Sequence, residues 1–185
     1  IFFKFPLEIL KYIFKKTGVF TSTVAEAGAF IKTKDELEAP NIQLHYAPAM
    51  VIDHGRKTAW GTGLSCHSCL LRPKSRGEVT LESADPFADP LIDPKFLSHP
   101  DDMKDMVDGY KAMMKVMSSE HFSKYISEDT QRPVDINDDA DIEQAMRELA
   151  DTVYHPVGTC KMGDDDMSVV DSNLKVHKIK GLRVV

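Results

Sequence analysis

Apolar side chains recur every three or four residues along one long segment of the chain, and this segment constrains the fold most. They are Met103, Met106, Val107, Tyr110, Met113, Met114 and Met117. The spacing predicts an amphipathic α-helix that begins at Asp101-Asp102 and buries its stripe against another element. Methionine fills irregular gaps in a core, so we interpret the stripe as core. An adaptable binding face is the alternative.

Two other segments have helical spacing. Pro6 to Lys16 has one apolar and one charged face, and Ala140 to Asp151 carries an apolar stripe behind acidic residues. We expect the first helix to pack on the core. Because lysines border its apolar face, a helix lying on a membrane surface is the alternative. Peripheral association with the inner face of a membrane therefore stays open.

Alternating apolar and polar residues predict strands. Ile42, Leu44 and Tyr46 alternate with polar residues, and Glu78 to Glu82 follows a turn with the same alternation and one solvent-exposed face. Ser83 to Pro100 contains four prolines, which predict an ordered loop without regular structure. Helices and strands do not alternate as in a parallel sheet. The expected class is α+β, with an antiparallel sheet flanked by helices.

Composition limits the partners and the compartment. The chain has 23 Lys and Arg against 29 Asp and Glu, a net charge of −6, which disfavours nucleic acid. No apolar stretch approaches the roughly 20 residues that a membrane-spanning helix needs. Three cysteines are too few for a disulfide scaffold and indicate a reducing, cytoplasmic compartment. Because the chain begins with Ile1 and ends at Val185 inside an apolar run, we expect a fragment of a longer polypeptide.

Three short motifs suggest a metal or a nucleotide, and we reject each. Cys66 and Cys69 have the spacing of a zinc or redox pair, but on a strand from Ser65 to Leu71 they would project from opposite faces. Gly61-Thr62-Gly63 lacks the third glycine of a dinucleotide fingerprint. Asp164-Asp165-Asp166 lacks the glycine and glutamate of a calcium loop. We therefore predict no metal site.

His155 is the strongest catalytic candidate. It follows the third helix, and Pro156 and Gly158 favour a turn that projects the imidazole. Histidine titrates close to physiological pH, so a projecting imidazole can act as a general base. A structural or merely exposed histidine is the alternative that the residues leave open.

The sequence around His155 resembles a family signature. The run YHPVGTCKMG from Tyr154 to Gly163 is similar to the C-terminal signature of the glucose–methanol–choline (GMC) oxidoreductases. Further matches are Asn41 to His45, Leu71 to Gly77, Val79, Ser83 to Pro86, Ile92 to Pro94, Val169 to Asp171, Leu174 to His177 and Gly181 to Val185. Within the family, Ser65-Cys66-His67 looks most like bacterial FAD-dependent alcohol dehydrogenases and choline dehydrogenases.

The resemblance implies part of a two-domain enzyme whose cofactor is FAD. The Rossmann-type part that binds FAD would be mostly missing here. We expect residues 1–64 to be the middle segment of the substrate domain, 65–180 its C-terminal catalytic and substrate-binding part, and 181–185 the start of a strand returning to the FAD-binding domain. The isolated chain should be inactive.

The resemblance also implies a chemistry. The matching histidine of the family faces the flavin and accepts the proton of the substrate hydroxyl, so His155 takes that role, and His155 and Pro156 would line the cofactor. The substrate would be a primary or choline-like alcohol, and the electron acceptor a quinone or another compound. The second active-site residue would lie beyond Val185, and Lys178 stands where the family usually has glycine. A related domain that binds without catalysis is the alternative.

Overall fold

A three-stranded antiparallel sheet with the order β1-β2-β3 lies at the centre of the computed structural model. The structure describes residues 5–53, 56–57, 63–126 and 133–185. The strands are β1, Ala27–Ile31, β2, Ile42–Ala47, and β3, Ser65–Leu70. Ile42 of the middle strand pairs with Ile31 on one side and Leu70 on the other. The predicted strand at Ile42 and the predicted α+β class are confirmed.

A polar residue with a fully paired side chain precedes the middle strand. Asn41 is buried at 7% exposure, just before β2. Its side chain donates a hydrogen bond of 2.9 Å to Oγ1 of Thr33 and accepts one of 3.0 Å from the Thr33 N–H. A buried amide is costly unless such partners satisfy it. Asn41 therefore fixes the loop between β1 and β2 without an unsatisfied polar group in its side chain.

One long helix covers the apolar face of the sheet, and a second helix packs against the first. Helix α2 (Pro100–Met117) contacts β2 and β3, and the short helix α3 (Glu120–Ser123) follows it. Helix α4 (Asp139–Leu149) packs against α2. The core that they share consists of Ile42, Leu44, Met103, Met106, Val107, Met113, Met117, Ile142, Ala145 and Met146. The helices predicted for α2 and α4, and the interpretation of the methionine stripe as core, are confirmed.

Gly109 lets α2 approach the sheet closely. A Cβ atom at this position would lie 2.8 Å from Cδ1 of Ile42, whose side chain is fully buried. Glycine in a helix interior costs about 1 kcal/mol relative to alanine. The close contact with β2 explains why α2 carries a glycine despite that cost.

The proline-rich region differs from the prediction. Leu91–Asp93 forms a short strand, β5, that pairs antiparallel with β4, Glu78–Thr80. Pro90 and Pro94 flank β5 rather than interrupt it, so the residues between them can pair. The expectation that one face of the Glu78 strand is buried is also wrong, because every residue of β4 and β5 is exposed. No other described element packs on this hairpin.

The first helix forms as predicted but does not pack on the core. α1 is Phe5–Lys15, and a 3₁₀ turn, Val19–Thr21, follows it. Among the described elements α1 contacts only this turn, so the expected packing on the core is wrong. Within the described ranges no helix combines the length and the apolar character needed to cross a membrane.

Isolated β-bridges connect parts of the region after α4. They join Val170 to Met162 and to Val176, and Lys175 to Arg183. Residue 64, the expected boundary between two segments, lies between β2 and β3, which are neighbours in one sheet.

Candidate functional site

The backbone around His155 has unusual dihedral angles on both sides. Tyr154 has a φ of 63° and Gly158 a φ of 100°, so both are left-handed. The N–H of Tyr154 donates a hydrogen bond of 2.8 Å to Oγ1 of Thr152. Glycine adopts the left-handed region without a steric penalty, and a Cβ at Gly158 would meet no atom within 4 Å. The conformation of Gly158, rather than its small size, therefore explains a glycine here.

The side chains around His155 form an exposed and largely apolar surface. Tyr154 is 64% exposed and Val157 is 94% exposed, and His155 and Pro156 lie exposed between them. Within the described part of the chain, the imidazole makes no hydrogen bond. The imidazole is therefore accessible from solvent in this part of the chain.

The segment after His155 is anchored around one buried residue, Val170, which is 2% exposed. The N–H of Gly163 donates a hydrogen bond of 3.0 Å to the Val170 carbonyl, and the N–H of Val169 donates one of 2.9 Å to the Lys161 carbonyl. Nε2 of His177 lies 2.9 Å from the Gly163 carbonyl oxygen, which can only accept. His177 therefore acts as a structural donor that holds the end of the signature in place.

The acidic residues 164–166 form a hydrogen-bonded turn. The Asp165 carboxylate accepts hydrogen bonds of 2.8 Å from Nζ of Lys161 and 2.9 Å from the N–H of Met167. The hydrogen bonds from Lys161 and Met167 lower the pKa of Asp165 to about 2. No cluster of three potential metal ligands occurs among the residues that the structure describes.

A buried carboxylate fixes another part of the signature, the loop at Lys74-Ser75. Asp102 is 2% exposed and accepts hydrogen bonds of 2.8 Å from the N–H groups of Lys74 and Ser75, and a third from the Ser75 hydroxyl. Burial tends to raise the pKa of Asp102, but these hydrogen bonds outweigh it and lower the pKa below its ordinary value. The loop is therefore attached to the first turn of α2.

Cys66 and Cys69 lie on β3 as predicted. Cys66 packs on the core opposite Tyr46, and Cys69 pairs with Gln43, so an odd separation places the two thiols on opposite faces. Burial raises the pKa of both thiols. Their predicted geometry is confirmed, whereas the absence of a metal or disulfide stays a prediction. Gly61 and Thr62 of the glycine motif lie outside the described residues.

A cavity of about 530 Å³ lies beside the C-terminal bridges, lined by Asp171 and residues 175–183. Neither His155 nor Pro156 lines it. In the sequence, only the four basic residues from Lys175 to Arg183 could have indicated a binding site here. Their charge alone predicts no particular ligand.

The helix N-termini of the two long core helices do not suit a dinucleotide phosphate. Phosphates bind at helix N-termini through free N–H groups. Here Asp102 lies in the first turn of α2, and the Asp138 carboxylate accepts a hydrogen bond of 2.9 Å from the N–H of Ala140 in α4. These carboxylates would repel a phosphate. The phosphates of a dinucleotide would therefore need residues other than these helix N-termini.

Sequence comparisons cover nearly the whole chain. Residues 73–185 match the family model of the GMC oxidoreductases. An alcohol dehydrogenase [acceptor] of Pseudomonas putida is 44% identical over 177 residues, and an oxygen-dependent choline dehydrogenase of Escherichia coli K12 is 36% identical over 175 residues. These matches cover 96% and 95% of this chain and 32% of each relative. The chain thus spans about a third of the length of these relatives.

Two solved structures resemble the chain. The formate oxidase of Aspergillus oryzae RIB40, solved to study the effect of a mutation on its FAD modification, superposes with a TM-score of 0.85 at 26% identity, over 96% of this chain and 36% of that chain. Pyridoxine 4-oxidase from Mesorbium loti superposes with a TM-score of 0.71 at 22% identity, over 83% of this chain and 30% of its own. The arrangement of sheet and helices is therefore shared with larger proteins.

Proposed function

This chain belongs to the GMC oxidoreductase family, and from that membership we propose that it is the substrate-side part of a longer FAD-dependent alcohol dehydrogenase. The relatives, which are about three times as long, leave room for a separate FAD-binding domain. In this proposal residues 1–180 belong to the substrate domain, and residues 181–185 lead back to the FAD-binding domain.

FAD is the cofactor that the proposal requires, as the formate oxidase of the same fold was studied for its FAD modification. The exposed surface formed by Tyr154, His155, Pro156 and Val157 would lie against the flavin ring. The remaining polypeptide would hold the phosphates, because the acidic starts of α2 and α4 disfavour them. When bound, FAD accepts the hydride that leaves the substrate carbon.

We assign the proton transfer to His155. Oxidation of an alcohol to an aldehyde removes one hydride from carbon and one proton from oxygen, and the imidazole accepts that proton. A positioned general base contributes about 10²- to 10⁴-fold to such a step. The observation that carries the proposal is the exposed imidazole of His155, set between the left-handed residues Tyr154 and Gly158 in the family signature.

A primary alcohol is the proposed substrate. The alcohol dehydrogenase of P. putida is more similar to the chain than the choline dehydrogenases, at 44% against 37% identity or less. The electrons would then pass to a quinone or to another acceptor.

The test is anaerobic reduction of the flavin in the full-length enzyme. A medium-chain primary alcohol should bleach the flavin spectrum faster than choline or formate does. The isolated chain of 185 residues should lose FAD on desalting. Bleaching by choline or formate alone would contradict a primary alcohol as the substrate. Retention of flavin by the isolated chain would contradict the proposal that a separate domain binds FAD.

A further inference from the structure

The chain between α4 and His155 is attached to the core at its start. Helix α4 ends at Leu149, and the N–H of Ala150 donates a hydrogen bond of 2.8 Å to the carbonyl of Met146. Met146 belongs to the core and is 8% exposed. The residues from Ala150 to Tyr154 therefore connect a fixed point of the core with the proposed base.

Thr152 lies in the middle of this connection and is half-buried, whereas its neighbours on both sides are exposed. Its Oγ1 accepts a hydrogen bond of 2.8 Å from the N–H of Tyr154. Its own N–H donates one of 2.7 Å to the Asp151 carboxylate. A threonine hydroxyl that accepts from the N–H two residues ahead closes a small turn of the backbone. Here that turn ends at the residue directly before His155.

The turn is important because Tyr154 has a φ of 63°. In this left-handed region the Cβ of an ordinary residue crowds its own backbone, so tyrosine without support favours another conformation. A residue keeps such a conformation only where its surroundings hold it there. The hydrogen bond to Thr152 holds Tyr154 at the backbone itself. If Tyr154 returned to an ordinary φ, the direction of the chain at His155 would change.

No hydrogen bond supports the backbone directly after His155. Residues 155–160 form none within the described part of the chain. The next anchor is the carbonyl of Lys161, which accepts from the N–H of Val169 at 2.9 Å. Pro156 has no N–H to donate. Within this chain, the direction of the imidazole therefore depends on the Thr152 side of His155.

We propose that Thr152 is a positioning residue for His155: its hydroxyl holds Tyr154 in the left-handed conformation and so directs the imidazole toward the substrate hydroxyl. This inference rests on the proposed role of His155 as the base. A general base must lie within hydrogen-bonding distance of the proton that it accepts, and a misplacement of about 1 Å can cost up to roughly a hundredfold in rate. Thr152 acts only through the backbone of Tyr154 and is assigned no contact with the substrate.

The test is stopped-flow reduction of the flavin by a primary alcohol in the full-length enzyme. Thr152→Val keeps the shape of the side chain but removes the acceptor. It should lower the rate about 3- to 10-fold, which corresponds to one lost hydrogen bond, at unchanged flavin content. Thr152→Ser keeps the hydroxyl and should react at close to the parental rate. Thr80→Val, the same change at an exposed residue of β4, is the matched control and should leave the rate unchanged.

Double variants show whether Thr152 acts through His155. In the His155→Ala background, Thr152→Val should cause no further loss of rate, because the imidazole that Thr152 positions is gone. A purely structural Thr152 would lower the rate by the same factor in both backgrounds.

Several results would overturn the inference. They are a parental rate in Thr152→Val, equal losses in Thr152→Val and Thr152→Ser, or the same factor in both backgrounds. Should Thr152→Val lose flavin, Thr152→Ala takes its place, and loss of flavin with a lower melting temperature in both would show that Thr152 is structural. A parental rate in His155→Ala would contradict the proposed function itself. A slow His155→Ala beside a parental Thr152→Val would contradict only this inference.

Discussion

Asp102 is the residue on which the attachment of the Lys74-Ser75 loop depends. Asp102→Ala removes the acceptor of three hydrogen bonds and leaves two N–H groups unsatisfied in a part-buried site. Hydrogen bonds to a charged group contribute about 1.5–3 kcal/mol each, and their losses overlap. We expect the free energy of unfolding to fall by about 2–4 kcal/mol, measured by denaturant unfolding of the full-length enzyme. Asp101→Ala, at the exposed neighbour, is the control and should change it little.

The contribution of Asp102 should also depend on pH. Its pKa in the folded chain lies below the ordinary 3.8, so the folded state favours the ionised form. The stability it confers is fully present above the unfolded pKa and is lost as pH falls through the folded pKa. The stability difference between parent and Asp102→Asn should therefore shrink below about pH 4. An equal difference at pH 7 and pH 3 would contradict this account.

Lys178 adopts a backbone conformation that suits glycine. Its φ is 64°, in the left-handed region, where a non-glycine residue costs about 1–2 kcal/mol. Glycine at the same place costs about 0.5–1 kcal/mol in unfolded-state entropy. Lys178→Gly should thus raise the free energy of unfolding by about 0.5–1 kcal/mol. Lys180 does not have a positive φ, so Lys180→Gly is the control and should not raise the free energy of unfolding. Equal effects of Lys178→Gly and Lys180→Gly would show that the φ of Lys178 is not the cause.

At the scale of elements, α2 stabilises the fold through its methionines. Met106 is 8% exposed in the core, whereas Val116 of the same helix is 46% exposed. Met106→Ala should lower the free energy of unfolding by about 2–5 kcal/mol, because it removes buried apolar contacts and leaves a cavity. Val116→Ala should cost less than about 1 kcal/mol. Similar losses for both would mean that the stripe does not determine the packing of α2.

The elements that the sequence predicts are those with strong periodicity. α2 and α4 have apolar stripes behind acidic N-termini, and β2 alternates, so each can be identified without knowledge of its neighbours. β1 could not be predicted, because Gly28 interrupts its pattern. A Cβ at Gly28 would lie 2.6 Å from the Leu44 carbonyl oxygen. The pairing of β1 with β2 therefore requires the same glycine that makes β1 hard to recognise in the sequence.

Periodicity predicts that an apolar face exists but not what it contacts. The pattern of α1 indicated packing on the core, whereas the fold places the 3₁₀ turn on its polar face and leaves Phe14 exposed. In the same way, Pro156 and Gly158 predicted an irregular backbone at His155, but not what the imidazole contacts in the full-length enzyme. The role of His155 therefore rests on the family resemblance, and its exposure is a finding of the structure.

At the scale of the whole molecule, the active site is proposed to form between two parts of one enzyme. This chain spans about a third of its curated relatives and supplies an exposed imidazole on a fixed backbone. The other part would supply the site that binds the phosphates of FAD, and the second active-site residue. Substitution of His155 should therefore affect the reaction and leave the fold of this chain intact, because no described contact depends on the imidazole.

Stopped-flow reduction of the flavin by a primary alcohol, measured across pH in the full-length enzyme, tests the central claim most directly. His155→Ala should lower the rate about 10²- to 10⁴-fold while flavin content and melting temperature stay unchanged. Higher pH should partly restore the rate, because more of the alcohol is then ionised and the base is needed less. His121→Ala, at an exposed histidine in α3, should reduce its flavin at the parental rate. A parental rate in His155→Ala, or loss of flavin and fold together, would contradict the assignment of His155 as the base.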